Sequence, residues 1–419
     1  MRVIHISQSD ILGGAARAAY RLHQAQINFG IQSSMIVRNK RSDVSSIYGP
    51  QSSIEKFKNL LRPSLGQLIG KLQKSQNVSL HSGNWLPSNW AKLLNASNAD
   101  IVHLHWVGNE TMSIRDIGRI KKPIVWTLHD MWPFCGSEHI TIDSEYARWR
   151  TGYTRSNKSP ENQGLDLDRW VWLQKKLLWK QPMNIVAPSL WMADCAKNSV
   201  LFKDHNITVI PNLLDTYVYK PLDQNFCRVS LGLPLDKKII LFGAIGGTQD
   251  QNKGYDLLLD ALNYLKTELI SDNVLCVIFG QSTPTPTNSP SQLPFDTKWL
   301  GHINDDVTLA LLYNAASVMV VPSRKESFGQ TATEAQACGT PVVAFNSTGL
   351  KDTITHLSTG YLAQPYNPID LKNGIKFALN SKGILSNNCR KKTLDDYSTD
   401  IVMKKYINLY KNIKNVTNN

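Results

Sequence analysis

A chain of 419 residues, 42% hydrophobic and 19% charged, is too long for one ordinary core and too apolar for a disordered chain, so two globular domains are expected. Six cysteines (Cys135, Cys195, Cys227, Cys276, Cys338, Cys389) form no C-x-x-C pair, which argues against a zinc or dithiol centre. The net charge of +13 is uneven: residues 1–213 hold 26 of the 46 Lys+Arg and 15 of the 33 Asp+Glu, leaving 20 and 18 for the rest. Such a basic half suits an anionic membrane surface or a phosphate-bearing substrate. With no nucleic-acid-reading motif, nucleic acid is not expected as a partner.

The opening MRVIHIS is apolar only from Val3 to Ile6 before Ser7, Gln8, Ser9 and Asp10, so it predicts a first strand rather than a signal peptide. No window approaches the roughly 20 apolar residues of a bilayer crossing. A cytoplasmic protein is expected, at most peripheral on the inner face of the plasma membrane.

Further strands are predicted at Ser34 to Val37, Ile101 to His105, Ile124 to Leu128, Asn184 to Ala187 and Thr208 to Ile210. A second series follows at Ile239 to Gly243, Leu275 to Phe279, Lys298 to Ile303, Val318 to Val321 and Pro341 to Ala344. Helical patterns alternate with these runs, which predicts α/β architecture with parallel sheets covered by helices. The prolines at Pro211 and Pro221 resist helix and central strand, placing a boundary between domains 1–213 and 214–393.

Residues 144–182 carry Trp149, Trp170, Trp172 and Trp179 among arginines and lysines and read as an insertion. Its aromatics either stack on sugar faces or pack against their own domain. Gln281 to Pro294 reads as a surface loop. Segment 394–419 ends the chain, with Ile401, Val402, Tyr406, Leu409 and Tyr410 at the spacing of an amphipathic helix.

The most informative stretch runs V-V-P-S-R-K-E-S-F-G-Q-T-A-T-E-A-Q-A-C-G-T-P from Val320 to Pro341. It predicts a strand, a glycine turn and a helix that ends before Gly339 and Pro341. Backbone amides from Phe328 to Thr331 would then sit at a helix N-terminus, where the dipole favours an anion such as a diphosphate. Glu326 before the helix and Glu334 within it are acceptors suited to vicinal hydroxyls, although an acid near a helix start also serves as a cap.

A second element places Gly246 and Gly247 after a strand, then Lys253 before a helix, where a lysine can set a point charge on phosphate. Gly13 and Gly14 follow the first strand, with Arg17 one turn on. Thr127-Leu128-His129-Asp130-Met131-Trp132 brings His129 to the carboxyl edge of a sheet. His103 and His105 share one face of a strand, His105 as a cleft residue and His103 as a structural one.

The gapped pattern P-S-x-x-E-x-F-G-x-x-x-x-E-A-x-A-x-G-x-P-V, complete here from Pro322 to Val342, resembles the signature of retaining glycosyltransferases of family 4. The likeness runs over nearly the whole chain and includes bacterial exopolysaccharide and colanic-acid-type enzymes. It implies a GT-B fold: two Rossmann-like domains with parallel sheets facing across a cleft, acceptor in the first, nucleotide sugar in the second, and a last helix crossing back to the first. The implied reaction moves a hexosyl unit from a nucleotide diphosphate sugar to a hydroxyl of a saccharide or lipid-linked acceptor, with retention, in cell-surface polysaccharide biosynthesis.

Carried over residue by residue, the resemblance gives catalytic roles to His129, Glu326 and Lys253. Donor contacts fall on Gly13, Gly14, Gly246, Gly247, Lys253, Ile303, Glu326, Ser327, Phe328, Gly329, Gln330, Thr331 and Glu334, and acceptor contacts on Arg17, His105 and Trp132. No D-x-D triad stands out, so no metal is expected, and no cofactor beyond the nucleotide sugar as co-substrate. The family arginine that usually precedes the lysine is missing between Gly243 and Lys253, leaving Lys253 to act alone or Arg324 or Arg17 to substitute. A nucleotide-sugar epimerase of the same fold and a non-enzymatic carbohydrate- or membrane-binding protein are the rival readings. A dinucleotide oxidoreductase fails on glycine spacing.

Overall fold

The computed structural model describes residues 1–243, 246–268, 273–283 and 292–418. The chain forms two compact units, Met1–Pro211 with Met403–Asn419 and Asn212–Val402.

In unit 1 seven strands lie in the spatial order Ile47–Tyr48, Gln32–Asn39, Arg2–Ser9, Ile101–Leu104, Ile124–Thr127, Asn184–Ala187 and Asn206–Val209, every pairing parallel. Ile101–Leu104 and Ile124–Thr127 are buried along their whole length, as continuous apolar strands are when both sheet faces are covered. Helix α1 (Gly14–Asn28) starts behind Gly13, whose φ of 90° a side-chain-bearing residue rarely adopts. Helix α2 (Ser53–Gly70) opens on a complete capping box between Ser52 and Glu55. The final helix, Thr399–Asn418, belongs to unit 1 from Met403 onward and buries Tyr406 and Tyr410 there.

Most of the tryptophans of 144–182 pack inward. Trp149, Trp172 and Trp179 are buried, whereas Trp170 is 51% exposed and leans on Trp85 with ring centroids 5.0 Å apart. Large rings close to the sheet contribute more by filling the core than by facing water.

In unit 2 six parallel strands run in the order Asp296–Trp299, Val274–Phe279, Lys238–Gly243, Val318–Val321, Val342–Phe345 and Gly360–Ala363. The chain's order reverses beside Lys238–Gly243, and the Gly246 turn and the Glu326 turn follow the two strands at that point. In unit 1 the reversal falls between Arg2–Ser9 and Ile101–Leu104, next to Gly13 and His105. Open α/β sheets bind ligands at such switch points.

Two expectations shift. The strand expected from Lys298 to Ile303 is Asp296–Trp299, which puts His302 and Ile303 in the following loop. Residues 284–291 of the Gln281 to Pro294 loop lie outside the described residues, as do Ala244 and Ile245.

Candidate functional site

Between Val318–Val321 and the helix Gln330–Ala337, Gly329 forms the N-cap at φ 93°, and a Cβ there would come within 2.7 Å of Leu350 Cδ2. Its N-cap glycine has no side chain to offer, and its first turn holds no acid. The amides of partly exposed Gln330 and Thr331 lie in the first turn of the helix, ahead of its own hydrogen-bond ladder and at the positive end of its dipole.

The turn before it is pinned at both backbone groups of Glu326. Its N–H donates to Thr348 Oγ1 (3.0 Å), and its carbonyl accepts from the Gly349 amide (2.9 Å). Its carboxylate Oε1 accepts from Ser323 Oγ (3.0 Å) and from Lys253 Nζ (2.7 Å). Burial alone would lower the Lys253 ammonium, but Glu326 and then Asp250 outweigh it and hold it above its usual value.

Lys253 ends a short 3-10 turn whose neighbours staple it to the Glu326 loop. Asn252 Nδ2 donates to the Lys325 carbonyl (2.8 Å), and the Arg324 amide donates to the Asn252 carbonyl (2.8 Å). Gly254 lies so close to Pro322 that a Cβ would fall 2.0 Å from the Pro322 carbonyl oxygen, which is why glycine follows the lysine.

Arg324, one of the two expected substitutes for the missing arginine, is already engaged. Its fork grips Asp256 (Nη1–Oδ1 2.9 Å, Nη2–Oδ2 2.5 Å) and the Gln251 carbonyl (2.6 Å). Arg17, the other substitute, is partly exposed on the first turn of α1 in unit 1.

The Gly246 carbonyl accepts from the amides of Gln249 and Asp250 (both 2.9 Å), and Gly247 is buried beside it. Gln281 Oε1 ties this turn to the next strand end through the Thr248 amide (3.0 Å). Gln281 also bridges to Gly301, two residues before partly buried Ile303. Ser327 is partly exposed. Two donor candidates lie deeper than the motif suggests. Phe328 is a core side chain edge-on to Tyr397 (5.4 Å), and Glu334 is 4% exposed with Oε2 accepting from Tyr313 Oη (2.8 Å).

In unit 1 a chain of imidazoles reaches from the sheet edge into the core. His129 Nε2 meets His105 Nδ1 (3.0 Å), His105 Nε2 meets His5 Nδ1 (2.9 Å), and His5 Nε2 meets Gln26 Oε1 (2.8 Å). Gln26 Nε2 donates to Tyr410 Oη (2.9 Å), which meets His103 Nδ1 (2.7 Å), and His103 Nε2 meets Thr127 Oγ1 (2.8 Å).

An amide has one accepting and one donating end, so Gln26 sets the polarity of the whole chain. His5 donates to Gln26, His105 to His5 and His129 to His105, leaving His129 Nδ1 as that ring's acceptor. The rings stay neutral: burial lowers His5 to about 3 and His129 to about 4, and it takes His103 and His105 well below their usual value. Asp130 holds the turn after His129, accepting the Trp132 amide (3.0 Å), the Trp106 indole N–H (2.6 Å) and His139 Nδ1 (2.6 Å).

Two acceptor candidates are corrected. Trp132 is 1% exposed, its indole N–H donates to the Ser82 carbonyl (2.9 Å) and Lys175 Nζ lies 3.8 Å over its ring, so its faces belong to the core. His105 is 2% exposed with both nitrogens engaged, so its imidazole connects to the sheet edge only by way of His129. His5, His103 and His105 also bring nitrogens within 4.8 Å, the one cluster of three metal-ligand residue types among the described residues, but those nitrogens already serve the hydrogen-bonded chain. His5, Gln26, Tyr410 and Asp130 escaped the sequence reading. Only Asp130, adjacent to His129, carried a visible signal, because His5 meets His103 through a sheet register that sequence does not give.

Two sheets with glycine turns at their switch points define the GT-B fold, shared with solved structures at low identity. Sucrose-phosphate synthase from Thermosynechococcus elongatus matches with TM-score 0.64 and 18% identity over 98% of both chains. HepE from Anabaena, in complex with UDP-glucose, matches with TM-score 0.64 and 16% identity over 98% of this chain and 100% of its own. The family profile described as Glycosyltransferase Family 4 matches residues 12–217, and that described as Glycosyl transferases group 1 matches residues 223–395.

The chain belongs to the family-4 glycosyltransferases. An uncharacterized glycosyltransferase of Methanocaldococcus jannaschii is 36% identical over 45% of this chain and 48% of its own length. A D-inositol 3-phosphate glycosyltransferase of Geodermatophilus obscurus is 33% identical over 44% of this chain and 42% of its own. The chain spans about half the length of the curated relatives it matches.

Proposed function

We propose that the protein transfers a sugar from a nucleotide diphosphate sugar to a hydroxyl acceptor with retention of anomeric configuration, and that unit 2 holds the donor. The observation that carries this reading is the Lys253–Glu326 ion pair beside the helix N-terminus that starts behind Gly329. A diphosphate settling on the Gln330 and Thr331 amides would draw Lys253 toward its oxygens and release Glu326 to accept from sugar hydroxyls. As the glycosidic bond breaks, charge grows on the leaving diphosphate, where a cation and preorganised amides lower the barrier most.

Glu334 would hold the ribose hydroxyls, Ile303 would border the base, and His129 Nδ1 would accept a hydroxyl proton in hydrogen bonding. Gly13 and Gly14 start a second helix, and Arg17 would offer its charge to the acceptor. The reading needs no metal. HepE, seen with UDP-glucose, and the relatives named for D-inositol 3-phosphate support a nucleotide sugar and admit a phosphorylated polyol as acceptor. The basic N-terminal half favours an acceptor on an anionic lipid carrier, as in cell-surface polysaccharide assembly.

A panel of nucleotide sugars, assayed for nucleotide release with saccharide, lipid-linked and inositol-phosphate acceptors, tests this. One donor should turn over, and Lys253→Ala should lower kcat/KM about 10²- to 10³-fold, the usual loss for one transition-state charge partner. Glu334→Ala should mainly raise KM. Unchanged release in both variants would refute the donor site, and an isomerised donor formed without acceptor would mark an epimerase instead.

A further inference from the structure

Helix α2 is amphipathic the wrong way round. Ile54, Phe57, Leu61, Leu65 and Leu68, with Leu72 just beyond the last turn, recur at spacings of three and four, so they form one stripe. They are 67%, 61%, 42%, 47%, 62% and 55% exposed, and no residue of the helix is buried.

What attaches α2 to unit 1 is its polar side. Asn59 accepts from Arg38 Nη1 (3.1 Å). Arg62 donates to the carbonyls of Glu110 (2.8 Å), Pro87 (2.9 Å) and Leu86 (2.7 Å), and Gly66 lies against the Glu110 side chain. A core-seeking helix would turn its leucines inward, so this one presents them to something outside.

We infer that the outward face of α2 docks unit 1 onto an anionic lipid bilayer. Charge complementarity selects this occupant. Lys56, Lys58, Lys71 and Lys74 are exposed along the helix and just past its end, and on the helical projection Lys58 and Lys71 flank the stripe on opposite sides. The single acid, Glu55, is turned back to cap the N-terminus. Apolar stripe, basic flanks and no burial are the pattern of a helix lying in a headgroup interface.

The surface continues past the helix. The Leu165 amide donates to the Leu72 carbonyl (2.9 Å), and Leu165 lines a depression of about 410 Å³ with Arg155, Lys158, Arg169 and Trp170. Arg169 Nε is buried there without a hydrogen-bond partner, as expected of a group that awaits a headgroup phosphate. No helix among the described residues is long and apolar enough to cross a membrane, so attachment would be interfacial.

The inference deepens the lipid-carrier reading but rests on no step of sugar transfer, so the two are tested apart. The full chain is sedimented with vesicles of phosphatidylcholine alone or with phosphatidylglycerol added, and nucleotide release is followed without vesicles as the independent control. The parent should pellet with the anionic vesicles, far less with the neutral ones, and less as salt rises.

Leu61→Ser/Leu65→Ser should cut partitioning more than about tenfold while melting close to the parent, because both side chains are exposed and neither belongs to a core. Lys58→Glu/Lys71→Glu should weaken anionic partitioning by at least about fivefold per site and leave neutral-vesicle binding unchanged. Equal pelleting of parent and both variants would overturn the inference, as would no pelleting by any of them. A parent dimer that the serine pair dissolves, with no vesicle binding, would assign the face to a second copy of the chain instead.

Discussion

Replacing Tyr410 by phenylalanine removes one oxygen and nothing else from the imidazole chain. That hydroxyl accepts from Gln26 Nε2 and meets His103 Nδ1, and Gln26, His103 and Tyr410 are all fully buried. Two polar atoms would be left without partners in a dry core, each costing about 1–3 kcal/mol, so unit 1 should lose about 2–6 kcal/mol. Ten of the eleven tryptophans precede residue 212, so intrinsic fluorescence in a urea titration reads unit 1 and Trp299 alone reads unit 2. Tyr406→Phe is the control: its hydroxyl has one longer bond, 3.2 Å to Thr127 Oγ1, and should cost about 1 kcal/mol. With Tyr410 gone, Gln26 is released to rotate, and the single imidazole tautomer of His129 should become a mixture in 15N spectra. A Tyr410→Phe loss below about 1 kcal/mol with one tautomer retained would refute the polarity argument.

Acid should destabilise unit 1 from pH 6.5 downward, through its buried histidines. His5, His23 and His129 are lowered by burial to about 3, 4 and 4, so as pH falls below 6.5 the unfolded chain takes protons that the fold refuses. Their contribution is complete above pH 6.5 and declines toward pH 4, by up to about 1.4 kcal/mol per pH unit for each ring. Glu138, raised by burial to about 8, opposes this by one proton over the same window, so the net slope stays positive. Urea midpoints that fail to drop between pH 6.5 and 4.5 would contradict it. Trp132→Phe should cost about 1–2 kcal/mol by losing its bond to Ser82 yet leave acceptor KM unchanged, and a raised KM with stability intact would restore the acceptor role. Gly329→Ala places a Cβ at positive φ against Leu350 and should cost about 1–3 kcal/mol while weakening donor binding; thermal melts and nucleotide titration read both.

The sheets were legible because their strands are short apolar runs bounded by turn residues, as in Val318–Val321 before Pro322. The edge strands Ile47–Tyr48 and Gly360–Ala363 escaped because an edge needs little apolar length and Gly360 reads as a turn. The Glu326 turn was legible because one contiguous motif builds it. That Lys253 would reach Glu326 was not, since 73 residues separate them and their loops are joined by tertiary contacts alone, among them Gly254 packed on Pro322 and Asn252 bonded to Lys325 and Arg324. Trp132 misled for a related reason: an aromatic just beyond a strand end looks accessible, and its burial depends on Ser82 and Lys175 far away in the chain.

The amides of Gln330 and Thr331 can be watched directly. In TROSY spectra of chain labelled with 15N-glutamine and 15N-threonine, a bound nucleoside diphosphate should shift these two signals most, and Lys253→Ala should weaken the titration about tenfold or more. A nucleotide that binds as tightly to Lys253→Ala as to the parent, or that leaves both amide signals in place, would contradict a diphosphate seat at the start of this helix.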